Sequence, residues 1–346
     1  MLNLCISLLI ILVLILFYFV INENFNYYSE NFININKNNI ILPINDEKIK
    51  LRTEDTVHIE KSDYIDDNTN INIKDNKRND DNEFKRNNNN EFKPIEDPKC
   101  VCIYAYYEKD EKYKENLRFF LKNGILDNVD YYIVINGSCS VPIPERSNLI
   151  VINRENEGYD FGAWNYCVNN FINKKYDYYI FINTSVRGPY LNENDTNWVK
   201  EFLKLFNTKD VKLVGTTINI FSNAGGYFNR NTLRNITNHD GPYTHVQSMF
   251  FILNDESFNY LKNKDFFKKN FYNFKDLIIN KEIGMSQLIL NNNWNINCIL
   301  PKYRNYDYRI VKQNFNHGGE DPCHRGSYFG KTIDAYEVIF FKNNRY

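Results

Sequence analysis

From Lys99 to Tyr346 short apolar runs alternate with helical patterns, and this alternation constrains the fold more than any other feature of the chain. Runs of strand length fall at Val101–Tyr106, Tyr131–Ile135, Leu149–Ile152, Tyr178–Ile182, Val211–Val214, Val246–Leu253 and Ile296–Leu300. Between them apolar residues recur at helical spacing. Tyr113, Leu117, Phe120 and Leu121 share a face that stops at Gly124; Trp164, Val168, Phe171 and Ile172 share another; Trp198, Phe202 and Leu205 share a third. Strand–helix alternation of this kind predicts an α/β fold with a largely parallel sheet. Ligands of such open sheets sit beyond the carboxyl ends of the strands, so the residues just past each strand are the candidates for function.

The preceding 98 residues read differently. Leu2 to Ile21 carries no charge. Twenty residues at ~1.5 Å each reach about 30 Å, the thickness of a bilayer core, and predict a transmembrane anchor over 1–21. A cleaved signal peptide would have a basic start and a small-residue exit. Neither is present, and Phe17–Asn22 is bulky throughout. The short amino end is expected to stay cytoplasmic, as in a type II single-pass protein with its catalytic domain lumenal. Residues 22–98 hold Asp66-Asp67, Asp80-Asp81 and the run Asn87–Asn90, with no sustained apolar period. Such a segment buries too little surface to offset its ordering entropy, which predicts a low-complexity, disordered stem. The globular domain is then 99–346, within the one or two domains that 346 residues allow.

Composition removes other classes. Lys and Arg total 42 against 43 Asp and Glu, a net charge of -1. A general nucleic-acid binder would carry a basic surplus, so no nucleic-acid partner is expected. Asn occurs 58 times. That abundance reads as coding bias, and sequons headed by Asn136, Asn183, Asn194 and Asn235 are expected by chance. The seven cysteines declare no disulfide framework and leave the redox compartment open.

Several strand ends carry chemistry. Tyr106, Tyr107 and Glu108 lie at the end of the first strand, where an aromatic ring stacks on a nucleobase or belongs to the core. Asn136-Gly137 ends the second and reads as a turn. Asn153 to Trp164 comes after the third, with Gly158 and Gly162 flanking Asp160 at an expected helix start. Glycine lets backbone approach a ligand, helix-start amides face a diphosphate, and a carboxylate binds ribose hydroxyls; an ordinary Asp N-cap fits the same pattern. Asn183-Thr-Ser-Val-Arg-Gly-Pro189 comes after the fourth strand and offers polar groups for a phosphate or a metal. Lys281 to Gln287 is expected to open a helix that closes at Asn291–Asn293. Glu282 would lie in its first turn, favoured there by the dipole and available as a general base. His317, Glu320, Asp321, Cys323 and His324 cluster among glycines; no paired C-x₂-C spacing supports zinc, and a mobile loop closing over the donor is expected.

Taken in order, Gly158–Trp164, Tyr178–Pro189, His245-Val-Gln-Ser248 and Glu282–Gln287 resemble the rhamnan synthesis protein F-like glycosyltransferases. Tyr328–Arg345 is similar to the ending of related glycosyltransferase-like proteins, in which His-Pro usually comes after Thr-Ile; Asp334-Ala335 stands there in this chain. The likeness covers nearly all of 99–346 and none of the anchor or stem. It implies a GT-A-like, Rossmann-type mixed sheet flanked by helices, joining a sugar from a nucleotide-sugar donor to a glycan or other hydroxyl acceptor. It further implies that Glu282 and Arg187 are catalytic, and that Tyr106, Asn156, Gly158, Asp160, Gly162, Asn183 and Ser185 bind the donor. His245, Gln247, Ser286, Gln287, His317 and His324 are implied on the acceptor side or as auxiliaries. No cofactor is certain. The GT-A Asp-x-Asp is replaced by Asn183-Thr184-Ser185, so any Mn²⁺ or Mg²⁺ site on Asn183 and Ser185 would lack the charged oxygens that hard cations favour.

Overall fold

The computed structural model describes residues 97–343, apart from 194, 208–209, 222–227, 229 and 317–318. The expected anchor, nearly all of the expected stem, and His317 lie outside the described residues. Among the described residues no helix is long and apolar enough to cross a membrane.

The order is β1 (Cys100–Tyr106), α1 (Glu111–Asn123), β2 (Val129–Asn136), β3 (Leu149–Arg154), α2 (Tyr159–Asn170), β4 (Tyr178–Asn183), β5 (Val186–Arg187), α3 (Trp198–Leu203), β6 (Val211–Gly215) and β7 (Ile218–Phe221). Next come α4 (Arg230–Thr237), β8 (Tyr243–Val246), β9 (Phe250–Asn254), α5 (Asp255–Asn263), α6 (Phe274–Leu277), α7 (Gly284–Asn291), β10 (Asn295–Cys298), α8 (Ala335–Val338) and β11 (Phe341–Lys342). Seven strands form one sheet in the order β3-β2-β1-β4-β9-β6-β10. β9 runs antiparallel to β4 and β6, and the other six strands run together. This mixed, mostly parallel sheet flanked by helices fits the expected GT-A-like architecture.

Two expectations need correcting. The run Val246–Leu253 is not one strand. β8 ends at Val246 and pairs with β7 in a separate ribbon, while β9 begins at Phe250 in the main sheet. The polar pair Gln247-Ser248 carries the chain between them. Nor does a helix open at Lys281. The helix starts at Phe274, where the Asn273 side chain accepts from the amides of Lys275 and Asp276. It passes through a π-helical segment, Ile278–Ile283, and continues as α7. Gly284 reads as a break by propensity, yet its N–H reaches back five residues to the Ile279 carbonyl. A Cβ there would sit 3.2 Å from that oxygen, which accounts for the glycine.

The core beneath the strand ends is aromatic. Every residue of β1 is buried. Trp164 on α2 packs edge-on against Phe251 of β9 at 5.3 Å and Phe181 of β4 at 5.8 Å, and Phe161 lies 4.8 Å from Trp164. Tight contact also fixes the entry to α2. Gly158 adopts the left-handed conformation, φ 70°, that glycine takes without steric cost. A Cβ on Gly162 would lie 1.9 Å from the Glu157 carbonyl oxygen. The two glycines of Gly-Tyr-Asp-Phe-Gly therefore shape the turn. We predict that Gly162→Ala displaces the Glu157–Gly158 backbone and destabilises the protein by about 1–3 kcal/mol, the usual range for overpacking. Urea denaturation of the two proteins checks this.

Candidate active site

The carboxyl ends of β1, β2, β3 and β4 converge on a cavity of about 320 Å³. Tyr107 lies past β1, Asn136 ends β2, Asn156 lies past β3, and Asn183 and Ser185 lie at and after the end of β4. Tyr113, Tyr159 and Phe274 add aromatic rim, and Asp160 is the charged residue of the lining. Asp160 and the β4 end are tied together. Asn183 Nδ2 donates to Asp160 Oδ2 at 2.7 Å, and Asn183 Oδ1 accepts from Ser185 N at 3.0 Å and Ser185 Oγ at 2.6 Å. Thr184, between them, donates to the Ala105 carbonyl and accepts from Tyr107 N. Burial pushes the Asp160 carboxyl above its ordinary value; hydrogen bonds from Asn183 and Phe161 N pull it down, and the charge of Glu282 pushes it up.

A second cavity, about 760 Å³, adjoins the first, and Phe274 lines both. Glu282 stands in its wall. Ser248 N and Ser248 Oγ both donate to Glu282 Oε2, at 2.7 and 2.6 Å, and leave Oε1 unbound by them. His245 Nε2 lies 3.7 Å from Oε1. The opposite ring nitrogen, Nδ1, is 2.7 Å from the Tyr243 carbonyl, so Nδ1 carries a proton. Gln247 also lines this cavity. Its Nε2 donates to both oxygens of Asp321, and its Oε1 accepts from Thr217 Oγ1 and Cys323 Sγ. The Gly-rich segment that carries Glu320, Asp321 and His324 is thereby fastened beside the larger cavity, not over the smaller one.

Asp160, Asn183, Ser185 and Asn156 thus share one cavity, and Glu282, His245, Gln247 and His324 share its neighbour. Other expected site residues are placed elsewhere. Tyr106 is fully buried and donates to Glu108, because alternation along β1 turns it inward; Tyr107 is the ring at the cavity. Gly158 and Gly162 serve the turn into α2. Arg187 belongs to β5, which pairs with β11, and its guanidinium lies over Phe119 and 3.3 Å from Glu115. Gly188 leaves room for the tail, since a Cβ would sit 2.5 Å from the Ile339 carbonyl oxygen. The Arg-Gly-Pro turn is therefore the seat of the carboxyl-terminal segment. Ser286 is fully buried and accepts from Val246 N, and Gln287 bridges Thr244 and His239 at a separate cavity.

Sequence reasoning missed Asn136, Tyr159 and Phe274. Asn136 read as a turn residue, yet its Oδ1 accepts from Arg154, which also donates to the Glu157 carbonyl. A guanidinium therefore stands one residue behind the lining. Tyr159 and Phe274 pack at 5.8 Å, and their exposure was the one available signal, invisible without the fold.

The donor set at the β4 end is poor for a divalent cation. Asp160 is the one carboxylate beside Asn183 and Ser185, and Asn183 Oδ1 is taken up by Ser185. Among the described residues no group of three or more His, Cys, Asp or Glu side chains could hold a metal ion. The set present does not fit a strong Mn²⁺ or Mg²⁺ site. The six described cysteines form no disulfide among themselves.

No family model matches the chain, and no curated protein matches it. Solved structures do. The mannosyltransferase PcManGT from Pyrobaculum calidifontis, in complex with GDP-Man and Mn²⁺, is 11% identical with a TM-score of 0.31, covering 49% of this chain and 48% of that one. TarS residues 1–349 from S. aureus are 12% identical with a TM-score of 0.32, covering 56% of each chain. An active-site mutant of the galactosyltransferase LgtC is 13% identical with a TM-score of 0.35, covering 70% of this chain and 86% of that one. The chain spans about half the length of the first two. Likeness of this degree transfers no residue role.

Lys281 adjoins Glu282 but turns into the protein. It is 2% exposed, donates to the Phe266 carbonyl and lies 4.4 Å from the Phe266 ring centre. Burial, then the like charge of Lys269, lowers its pKa from 10.5 to about 8. Between those values the unfolded chain binds more protons than the folded one, so stability rises with pH through that window. Below it, the buried ammonium costs about 3 kcal/mol at full strength. Lys281→Met should be more stable than wild type at pH 7, and the advantage should shrink as pH approaches 10. Urea midpoints at both pH values measure it.

Proposed function

We propose that the protein is a glycosyltransferase that moves a sugar from a nucleoside-diphosphate donor to a hydroxyl of a glycan or other acceptor. The observation that carries this reading is the pair of adjoining cavities with Phe274 common to both walls. One has the size, aromatic rim and polar strand ends that suit a nucleotide. The other presents a carboxylate at the side where an acceptor would enter. The order of motifs resembling rhamnan synthesis protein F-like transferases supports the same reading. In it, Tyr107, Tyr113 and Tyr159 offer faces for a base, Asp160 and Asn136 meet ribose hydroxyls, and the Ser185 hydroxyl meets the diphosphate. Glu282, held through Oε2 by Ser248, takes the acceptor proton on Oε1 as the hydroxyl attacks the sugar. The apolar run at 2–21 supports a single-pass anchor that holds the domain on the lumenal side.

One observation favours a second reading, a catalytically inactive nucleotide-sugar- or glycan-binding module. Among the described residues that line the smaller cavity there is no Lys or Arg, so the wall itself brings no positive charge to a departing diphosphate. Arg154, behind Asn136, is the guanidinium in reach of that role. Hydrolysis of nucleotide sugars without acceptor separates the two readings, because a binding module releases no sugar.

Glu282→Gln should lower the transfer rate by about 10²–10⁴-fold while leaving the fold intact, the range for a lost general base. Retention of most of the rate by folded variant protein removes the assigned role. Asp160→Ala should weaken nucleotide-sugar binding in a calorimetric titration with Mn²⁺ and without it; unchanged affinity moves the donor elsewhere.

A further inference from the structure

Two acceptor atoms are set against each other in the wall of the larger cavity. Glu282 Oε1 and His245 Nε2 are 3.7 Å apart, and both residues line the cavity. Each is held from behind. Ser248 N and Oγ fix the carboxylate through Oε2. The Tyr243 carbonyl accepts from His245 Nδ1 at 2.7 Å, which leaves Nε2 as the bare nitrogen of the neutral ring. His245 is 4% exposed and sits on β8 opposite Asn219 of β7. The next residue, Val246, donates its N–H to Ser286 on the helix that continues from Glu282. One strand–helix contact therefore braces the imidazole relative to the carboxylate.

A neutral imidazole and an ionised carboxylate leave no proton in this gap, which is longer than a hydrogen bond. A proton that arrives on Oε1 has a stronger base beside it, since free imidazole is more basic than a free carboxylate by about two pH units. On Nε2 it forms an imidazolium whose new N–H can donate back to Oε1 in a charge-assisted hydrogen bond. The other ionisable groups of the surroundings are Lys281, which donates to the Phe266 carbonyl, Asp160 across the partition, and Glu320, Asp321 and His324 on the carboxyl-terminal segment. Among the described residues Glu282 is the ion-pair partner of His245.

We propose that Glu282 and His245 act as one base, in which Glu282 Oε1 takes the proton of the attacking hydroxyl and His245 Nε2 receives it from there. The acceptor O–H bond breaks and an N–H bond forms. The electron pair freed on the hydroxyl oxygen makes the bond to the sugar carbon, and the pair of the old C–O bond leaves with the nucleoside diphosphate. Loss of the Nε2 proton to water restores the unit. His245 acts through Glu282 and is a positioning residue for the proton. The proposal rests on the reading of Glu282 as the base of a transferase and adds the group that holds the proton next.

Transfer by the full-length protein from UDP-glucose, GDP-mannose or dTDP-rhamnose to methyl glucoside or methyl rhamnoside supplies the assay. His245→Gln should lower kcat about tenfold or more, a smaller loss than that of the base itself, with the KM for the acceptor nearly unchanged. The double variant with Glu282→Gln should be no slower than Glu282→Gln alone; losses that multiply overturn the proposal. Imidazole added to His245→Ala should restore much of the kcat, and pyrazole, of the same size but weakly basic, should not. Equal rescue by both assigns the residue to packing and overturns the proposal. Nitrogen NMR of the histidine-labelled wild type reads the tautomer without any substitution: the neutral ring should carry its proton on Nδ1, and a proton on Nε2 overturns the proposal. Absence of turnover by the wild type with every pair removes the transferase reading and this proposal with it. Turnover by His245→Gln equal to that of the wild type removes this proposal alone.

Discussion

The hydrogen bond from Asn183 to Asp160 joins the end of β4 to the first turn of α2, 23 residues earlier in the chain. The arrangement of polar groups in the smaller cavity depends on it. Asn183 is a residue with a donor and an acceptor on one planar group, and it uses both, giving its N–H to Asp160 and taking Ser185 on its oxygen. An aspartate at 183 could not do this, since two carboxylates would then face each other across 2.7 Å. The acidic partner of this strand end is thus the aspartate at 160. One acidic group remains in the pocket, carried by a helix instead of a strand end. The two glycines around Asp160 answer the same constraint, because the α2 entry must pass close under the Glu157 carbonyl to bring the carboxylate within reach of Asn183.

Electrostatics link the two cavities. Burial is the main cause of the raised Asp160 pKa, and the charge of Glu282 adds a smaller push across the partition that carries Phe274. Negative potential at such a junction disfavours an approaching anion and favours positive charge. In the proposed reaction the sugar ring gains oxocarbenium character as the leaving group departs. A field of this sign, fixed before reaction, lowers the energy of that species without reorganisation. The same field works against the diphosphate. In the proposed reaction its neutralisation therefore falls to Arg154, which stands behind Asn136.

Much of the sheet was legible in the sequence because its strands are buried on both faces and read as continuous apolar runs, as in β1, β2 and β4. That continuity also concealed the break between β8 and β9, where Gln247 and Ser248 interrupt the run for only a few residues before Phe250 resumes it. Asp160, Asn183 and Glu282 were legible as polar residues at strand ends or beside a glycine. Their partners were not. Ser248 reaches Glu282 across 34 residues, and Phe274 meets Tyr159 from a distant part of the chain; no local pattern encodes such contacts. Arg187 misled for a related reason. An Arg-Gly-Pro turn after a strand suits a phosphate, but here the glycine admits the carboxyl-terminal strand, and the guanidinium settles over Phe119.

The π-helical segment explains how Lys281 and Glu282, adjacent in sequence, serve opposite environments. In a regular α-helix consecutive side chains diverge by about 100°, and each packs over the turn before it. An added residue in a π turn rotates the later turns of the helix relative to the earlier ones. Such turns concentrate at functional sites for that reason. Here the phase shift lets Ile279, Lys281 and Ile283 stay buried while Glu282 faces the cavity, and it sets Ser286 and Gln287 of α7 against β8. Those contacts anchor α7 to the strand that leads directly into Gln247 and Ser248. The helix that carries Glu282 and the loop that pins its carboxylate are thus braced against each other, and Glu282 Oε2 is held by Ser248. A glutamate on a freely rotating helix surface would sample many rotamers; this one has Oε2 fixed by Ser248 and Oε1 facing His245.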